Sequence, residues 1–420
     1  MAQFELRIET SEFKKALDVL STVINKKTAL PILADACIRY DRERKLFKMV
    51  AGNTEQWLEI ECRREDQERG QREWMLLDRD SKEEPLTAFC INVDQFREIF
   101  ATLPSQPAQC YLTLGDGGGS LRVVYNKGEF TTPVESALEY PALPTVVEKD
   151  GEQRDGIAPL VKFSVETREL LPTVLAARVC SANDELRPVM NTVCMDVFQD
   201  HCVVVASDGH SLYKRTLDTG MGWLRYGLFP ADQSAKLLIP TQAMSALNKA
   251  LLPADTITVT ADSHSIAVES GDGTVRLVTV SIDGNYPNYE SVIPKDNPHH
   301  LVIDRQELQA TLRRISLFSA EGSNLAILRR DDEHVILNAS DESFGRNADE
   351  QVRIINSEST TLPDGFKIGF KISTMQQLLG CIAGDNVTLE IGDPSRAMLL
   401  KEDGQVSQLT LLIMPMLVNG

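Results

Sequence analysis

A chain of 420 residues with 42% hydrophobic content is long enough for about two to four domains with packed cores. Its 61 acidic side chains outnumber 43 basic ones and leave a net charge of −18, which excludes a protein that coats nucleic acid or anionic membrane with its whole surface. A local basic lining is still compatible with that total. The opening MAQFELRIETSEFKK carries acids and no long apolar run, so no signal peptide is expected. No stretch approaches the roughly 20 apolar residues that span a bilayer, and the expected setting is the cytoplasm.

Three stretches open with an alternating strand that runs into an amphipathic helix: FELRIETSEFKKALDVLSTVI from Phe4, VKFSVETRELLPTVLAARV from Val161 and LVIDRQELQATLRRISLF from Leu301. Thr10, Thr167 and Asp304 stand where a helix N-cap is expected. Apolar residues then recur at helical spacing, as Phe13, Leu17 and Leu20, as Leu170 and Val174, and as Leu308, Leu312 and Ile315. Each opening leads into paired strands: DACIRYDRERKLFKMVAG, NTVCMDVFQDHCVVVAS and LAILRRDDEHVILNAS.

A second strand-and-helix unit follows in each case, FCINVDQFREIFATLP, LLIPTQAMSALNKALLP and IGFKISTMQQLLGCIAG, and runs into an alternating strand from Cys110, Thr256 or Val387. Equivalent points lie about 140 to 155 residues apart, a threefold repeat with a twofold one inside each third. The expected fold is therefore α+β, with three similar domains each of two helices packed on antiparallel sheets. Composition turns charged and glycine-bearing at 148–156, and Lys295-Asp296-Asn297-Pro298 is a comparable joint, placing the domains at 1–150, 151–296 and 297–420. The charge-dense segment from Cys62 to Glu84 breaks the pattern and reads as a solvated insertion or a partner-binding loop.

Chemistry is harder to find. Gly115-Asp116-Gly117-Gly118-Gly119 resembles a phosphate loop, but the strand SLRVVY follows where phosphate cradling needs a helix, so a hairpin turn is expected. Gly271-Asp272-Gly273 reads the same way. Asp208-Gly209-His210 beside Ser207 and Ser211 could be drawn as a hydrolase constellation, yet these residue types are what tight turns use. The eight cysteines, Cys37, Cys62, Cys90, Cys110, Cys180, Cys194, Cys202 and Cys381, include no CxxC and sit mostly in strand-like runs. They are expected to be buried free thiols in a reducing compartment. The adjacent His299 and His300 would point to opposite faces of a strand, a poor chelate, so no metal, no cofactor and no catalytic residue is expected. Basic residues recur on or beside the helices: Lys14, Lys15, Lys26, Lys27, Arg97, Arg168, Lys249, Arg313 and Arg314. They read either as a mildly positive lining for phosphates or as solvated helix faces.

Five motifs in order carry a family resemblance. They are Thr28-Ala29-Leu30-Pro31-Ile32-Leu33, Leu186-Arg187-Pro188-Val189-Met190-Asn191, Ala206-Ser207-Asp208-Gly209-His210-Ser211-Leu212, Asn285-Tyr286-Pro287-Asn288-Tyr289 with Val292-Ile293-Pro294, and Met414-Pro415-Met416. Together they resemble the bacterial sliding clamp, the beta subunit of DNA polymerase III. That resemblance implies a ring-shaped head-to-tail homodimer, helices inside and sheets outside. About twelve helices of about 10 Å each would line an opening of about 25 to 30 Å, wide enough for duplex DNA. The implied function is a non-enzymatic processivity factor in DNA replication that encircles double-stranded DNA without reading sequence. Implied partners are the polymerase III catalytic subunit, the clamp loader and other proteins bearing a clamp-binding motif.

The resemblance also implies a pocket for short, mostly apolar partner motifs, comprising Arg187, Met190, Ser207, Gly209, His210, Leu212, Pro287, Val292, Ser395, Ala397, Met414, Pro415 and Met416. Flexible methionines suit a site that serves many partners. Among the DNA-facing candidates Lys14, Lys26, Lys27, Arg97, Lys249, Arg313 and Arg314, Lys27 matches a basic position of the family. Leu317 and Phe318 are candidates for the dimer seam or, alternatively, for intradomain core. Thr192 stands where the family usually has glycine, Ser211 where arginine is common, and Leu417 to Gly420 extend past the usual end. The competing readings are a repeat-built interaction scaffold without a DNA role and, behind it, a hydrolase at the Asp208 corner.

Overall fold

The structure, a computed structural model, describes residues 2–25, 30–41, 43–44, 46–62, 75–77, 88–115, 118–142, 161–218, 224–226, 234–262, 264–402 and 408–418. The described residues form an α+β fold in which every strand pairing is antiparallel. Two compact units divide the chain: 1–171 with 222–228 and 242–281, and 172–221 with 229–241 and 282–420.

The first unit holds a fourteen-stranded sheet that includes, in order, Val275–Val280, Gln56–Cys62, Leu46–Gly52, Asp35–Asp41, Ala88–Asn92 and Gly128–Ser136. Strand alternation puts one row of side chains inward, and on that side helices Thr10–Leu20 and Val93–Thr102 pack together. Their contact is aromatic: Phe13 meets Phe100 edge-on at 4.5 Å and Phe96 at 6.2 Å. The second helix is capped as its sequence suggests, with the Asn92 side chain accepting from the Gln95 amide. Thr10 and Thr167 correct the capping expectation. Each strand runs straight into its helix, so both threonines are the first helical residue, and Thr10 instead donates its hydroxyl to the Pro104 carbonyl at 2.7 Å and accepts from the Gln106 amide.

The second unit holds an eight-stranded sheet, ordered Ala235–Pro240, Thr192–Val197, His201–Ser207, Ser211–Asp218, Leu409–Ile413, Met398–Glu402, Asn386–Ile391 and His299–Asp304. A four-stranded sheet runs Arg346–Arg353, His334–Asp341, Leu325–Asp331 and Lys367–Lys371. Helix Arg305–Ile315 is capped by Asp304, whose carboxylate accepts from the Glu307 amide at 2.7 Å. It buries Leu308, Leu312 and Ile315 and packs against helix Ile372–Leu379.

One expected helix is irregular. Residues after Pro240 run through a 3-10 turn, Thr241–Ala243, a single α turn, Met244–Ala246, and a π turn, Leu247–Leu251, closed by the Leu252 amide on the Leu247 carbonyl. Pro253 follows at once and has no N–H with which to continue an α ladder.

Both glycine-rich turns are hairpins. Strand Pro107–Gly115 pairs with Gly118–Tyr125 up to Gly115 opposite Gly118, and Ser265–Ser270 pairs with Val275–Val280 around Gly273, whose φ of +69° favours glycine. Asp116 and Gly117 lie outside the described residues. Of the segment 62–84, Cys62 and a short strand, Met75–Leu77, are described. That strand pairs with the edge of Ala2–Glu9, and the rest of the segment lies outside the described residues.

Candidate functional site

The loop after strand His201–Ser207 is built by one carboxylate. Asp208 Oδ1 accepts from the His210 amide at 2.8 Å, the Ser211 amide at 2.6 Å and the Ser211 hydroxyl at 3.0 Å. Gly209 completes the turn at a φ of +89°, a conformation costly for other residues. The same device recurs in the first unit, where Asp262 Oδ1 takes the His264 amide, the Ser265 amide and the Ser265 hydroxyl. The constellation Asp208, His210 and Ser211 is thus a turn motif used twice. Ser207 is occupied as well: its hydroxyl donates to the Ser211 carbonyl and accepts from the Gly209 amide.

The turn presents strand Ser211–Asp218 to the closing strand Leu409–Ile413, with Leu212 opposite Leu412. Beyond Ile413 the pairing continues, the Met414 amide donating to the His210 carbonyl at 2.8 Å. These elements wall a cavity of about 970 Å³ lined by Ser207, Gly209, Ser211, Leu212, Leu412 and Met414, by residues 288 and 290–296, and by Ser395, Arg396 and Ala397. Its size suits a few large side chains.

Two buried tyrosines anchor the wall formed by residues 288–296. Tyr286 and Tyr289 join the core cluster of Leu212, Val205, Leu238, Ala397, Leu399 and Leu412, and the Tyr289 hydroxyl donates to Asp196 at 2.8 Å. Burial and then the Asp196 charge push the Tyr289 hydroxyl well above the ordinary tyrosine range, so it stays a donor. The opposite wall is pinned by Asn297, whose amide donates to the carbonyls of Glu390 and Ala397. Asp393 accepts from the Ser395 hydroxyl and amide, and those bonds hold its carboxyl below the usual range.

Val292 and Met414 are 56% and 40% exposed, so the cavity offers uncovered apolar side chains at its mouth. Three ion pairs stand around it, Arg187 with Asp184 at 2.8 Å, Lys214 with Glu290 and Arg396 with Asp296, and Lys295 also lines it. An apolar floor with a polar rim can seat apolar side chains and exclude wrong partners; the hydroxyls of Ser211 and Ser395 donate to Asp208 and Asp393 within turns.

Seven of the thirteen expected pocket residues line the cavity: Ser207, Gly209, Leu212, Val292, Ser395, Ala397 and Met414. The other six do not. Arg187 stands at its edge, where a Cβ on Gly209 would lie 3.7 Å from the guanidinium, and Met190 is buried in the 3-10 turn Pro188–Asn191. His210 and Pro287 are exposed, His210 contributing its carbonyl, and Pro415 is half-buried. Met416 turns to the other sheet, exchanging a bridge with Gly369. Sequence reasoning missed Leu412, Arg396 and Glu290 as lining residues. The alternation of LTLLI could have flagged Leu412, whereas the other two depend on loop placement. Thr192 and Ser211 are both fully enclosed and bonded, Thr192 to the Val189 carbonyl at 2.7 Å.

The basic candidates divide. Arg97 binds Asp18 at 2.9 Å, Arg314 forks onto Glu350 and Arg168 pairs with Glu166, so these three are committed to ion pairs within their own units. Lys14 is half-buried and Lys249 and Arg313 are exposed; Lys26 and Lys27 lie outside the described residues. Leu317 and Phe318 are 71% and 39% exposed in the turn Ser316–Phe318. Intradomain core is therefore not their role.

Solved structures with this architecture are DNA polymerase sliding clamps. The clamp from Bacillus subtilis superposes with a TM-score of 0.81 at 19% identity over 100% of both chains, and that from Pseudomonas aeruginosa with 0.79 at 19% over 99% and 100%. The class defined by the fold is thus that of the DNA clamps. The beta sliding clamp of Pseudomonas putida is 22% identical over 412 residues, 97% of this chain and 98% of that protein. Residues 164–288 match the family described as DNA polymerase III beta subunit, central domain, and residues 290–417 match its C-terminal domain. The chain belongs to the DNA polymerase III beta subunit family.

Proposed function

We propose that this chain is a DNA sliding clamp. Two copies close head to tail into a ring around duplex DNA and tether the replicative polymerase and other DNA-processing proteins to it. Each copy supplies three domains, 1–150, 151–296 and 297–420, and the ring acts by topology, not by catalysis. The observation that carries this reading is an end-to-end fold match to sliding clamps joined to the open apolar cavity at Leu212, Val292 and Met414.

The physical logic is consistent. Sliding needs weak, sequence-blind contact, because each additional tight phosphate contact would brake the ring, and a net charge of −18 with its arginines largely paired keeps such contacts few. The cavity takes the apolar side chains of a short partner motif. Burying two large ones is worth about 3 to 6 kcal/mol before ordering costs, which gives about micromolar affinity once backbone hydrogen bonds are added. Two sites on one ring then allow avidity.

Loading onto a nicked circular plasmid by a clamp loader, followed by linearisation, is the decisive experiment. A clamp stays with the circle through gel filtration and runs off the linear form. Equal retention on both, or on neither, would favour a scaffold without a DNA role.

A further inference from the structure

Three strands of the first unit, Leu46–Gly52, Asp35–Asp41 and Ala88–Asn92, bring Val50, Cys37 and Cys90 into one cross-strand row. Cys37 and Cys90 are direct antiparallel partners, and both thiols are fully buried. Direct partners in an antiparallel pair have Cα atoms about 4.5 to 5.5 Å apart, inside the range of about 4.4 to 6.8 Å that a disulfide bridges. The two side chains stand on the same face of the sheet and in the same buried cluster.

Ala36 and Ile38 alternate with Cys37 onto the other face of the sheet, while Asp35, Arg39 and, one strand further on, Glu135 share the Cys37 side. Among the described residues the thiols belong to a small cluster of Val50, Cys37, Cys90 and Tyr140, flanked by Ile32, Ala88 and Ala137. Tyr140 is held by its amide on the Ala137 carbonyl at 3.2 Å and by its hydroxyl, which reaches the carbonyls of Asp35 at 3.2 Å and Val50 at 3.3 Å. Among the described residues, the segment that carries Ala137 and Tyr140 is one part of the cover over the sulfurs.

The electrostatics of the pair single it out. The Cys90 hydrogen bond, against the effect of burial and with help from the Arg39 guanidinium, holds the Cys37 thiol below the ordinary cysteine range, while Cys90 keeps its proton. Burial instead pushes Cys110 up to about 12 and Cys381 up to about 11, and raises Cys180, Cys194 and Cys202. Those thiols are inert packing; Cys37 has an attacking sulfur and a resolving partner beside it.

We propose that Cys37 and Cys90 are a dithiol modification site, oxidised to an intramolecular disulfide by exchange with a small-molecule disulfide of the glutathione class. The Cys37 thiolate attacks one sulfur of RSSR, forming Cys37–S–S–R and releasing RS⁻. The Cys90 sulfur then attacks Cys37 Sγ, closing the protein disulfide and releasing the second RS⁻. The two thiol protons leave with them, so the pair loses two electrons and two protons and RSSR becomes two RSH. The product staples two neighbouring strands of the sheet, and the assignment is independent of the clamp reading.

The test treats the folded full-length protein with glutathione disulfide, quenches with an alkylating agent and maps peptides by mass. The expected product is a single cross-link joining the Cys37 and Cys90 peptides, formed without denaturant, with a higher melting temperature than the reduced protein. Cys37→Ala and Cys90→Ala, each checked for folding by circular dichroism, should show no internal cross-link. Tyr140→Phe, which removes both hydroxyl bonds of that residue, should speed the reaction several-fold. Both thiols remaining fully alkylatable after treatment with excess oxidant, or a cross-link that forms only in denaturant, would overturn the proposal.

Discussion

Met414 and Met416 are two residues apart and have different work. Met414 lines the cavity at 40% exposure, while Met416 donates its amide to the Gly369 carbonyl at 2.8 Å and belongs to the edge of the other sheet. Met414→Ala removes contact area from the mouth and should weaken a clamp-binding peptide about tenfold, an effect of about 1.4 kcal/mol. Met416→Ala should leave most of that affinity, because the backbone bridge to Gly369 needs no side chain. Fluorescence anisotropy with a labelled peptide checks both; equal losses would mean that the tail acts as a unit and not through Met414. The residue types of the Asp208 corner were legible in the sequence as turn chemistry. What the sequence could not show is that Asp208 spends one oxygen on three donors of its own turn.

Helix starts expose the limit of local rules. Asp304 and Asn92 cap their helices because each stands one residue before the first turn, with a side chain that reaches back to an amide. Thr10 has the right chemistry in the wrong register: it is inside the helix, buried, and bonded to the chain around Pro104 and Gln106. Thr10→Asp, a better cap by propensity, should therefore destabilise the first unit by about 1 to 3 kcal/mol, since a carboxylate cannot donate to the Pro104 carbonyl. Urea unfolding measures this, and a stabilised variant would restore the cap assignment. The aromatic contacts among Phe13, Phe96 and Phe100 were foreseeable as inward faces of two helices, but not as a pair meeting each other. The irregular helix before Pro253 had only the proline as its sign.

On the scale of the whole molecule, the open question is the seam. Leu317 and Phe318 are uncovered, and the turn that carries them packs beside Arg346–Arg353, an edge strand paired on one side by His334–Asp341. An uncovered apolar pair beside a strand that ends its sheet among the described residues is a surface suited to a partner chain. Leu317→Glu with Phe318→Glu should convert a dimer of two 46.6 kDa chains into monomers in light scattering, with peptide affinity per chain retained. An unchanged mass would put the seam elsewhere. The amino-acid sequence by itself determined the strand and helix periods and the α+β class, because these follow from residue spacing within about 20 positions. Tertiary structure alone decided which thirds share a sheet: Gln56–Cys62 takes Val275–Val280 as its neighbour, and Ser211–Asp218 takes Leu409–Ile413. It likewise decided that Ser207, Val292, Ser395 and Met414 meet around one cavity. Pairings between segments about 200 residues apart depend on the packing of complete faces, and no local pattern encodes them.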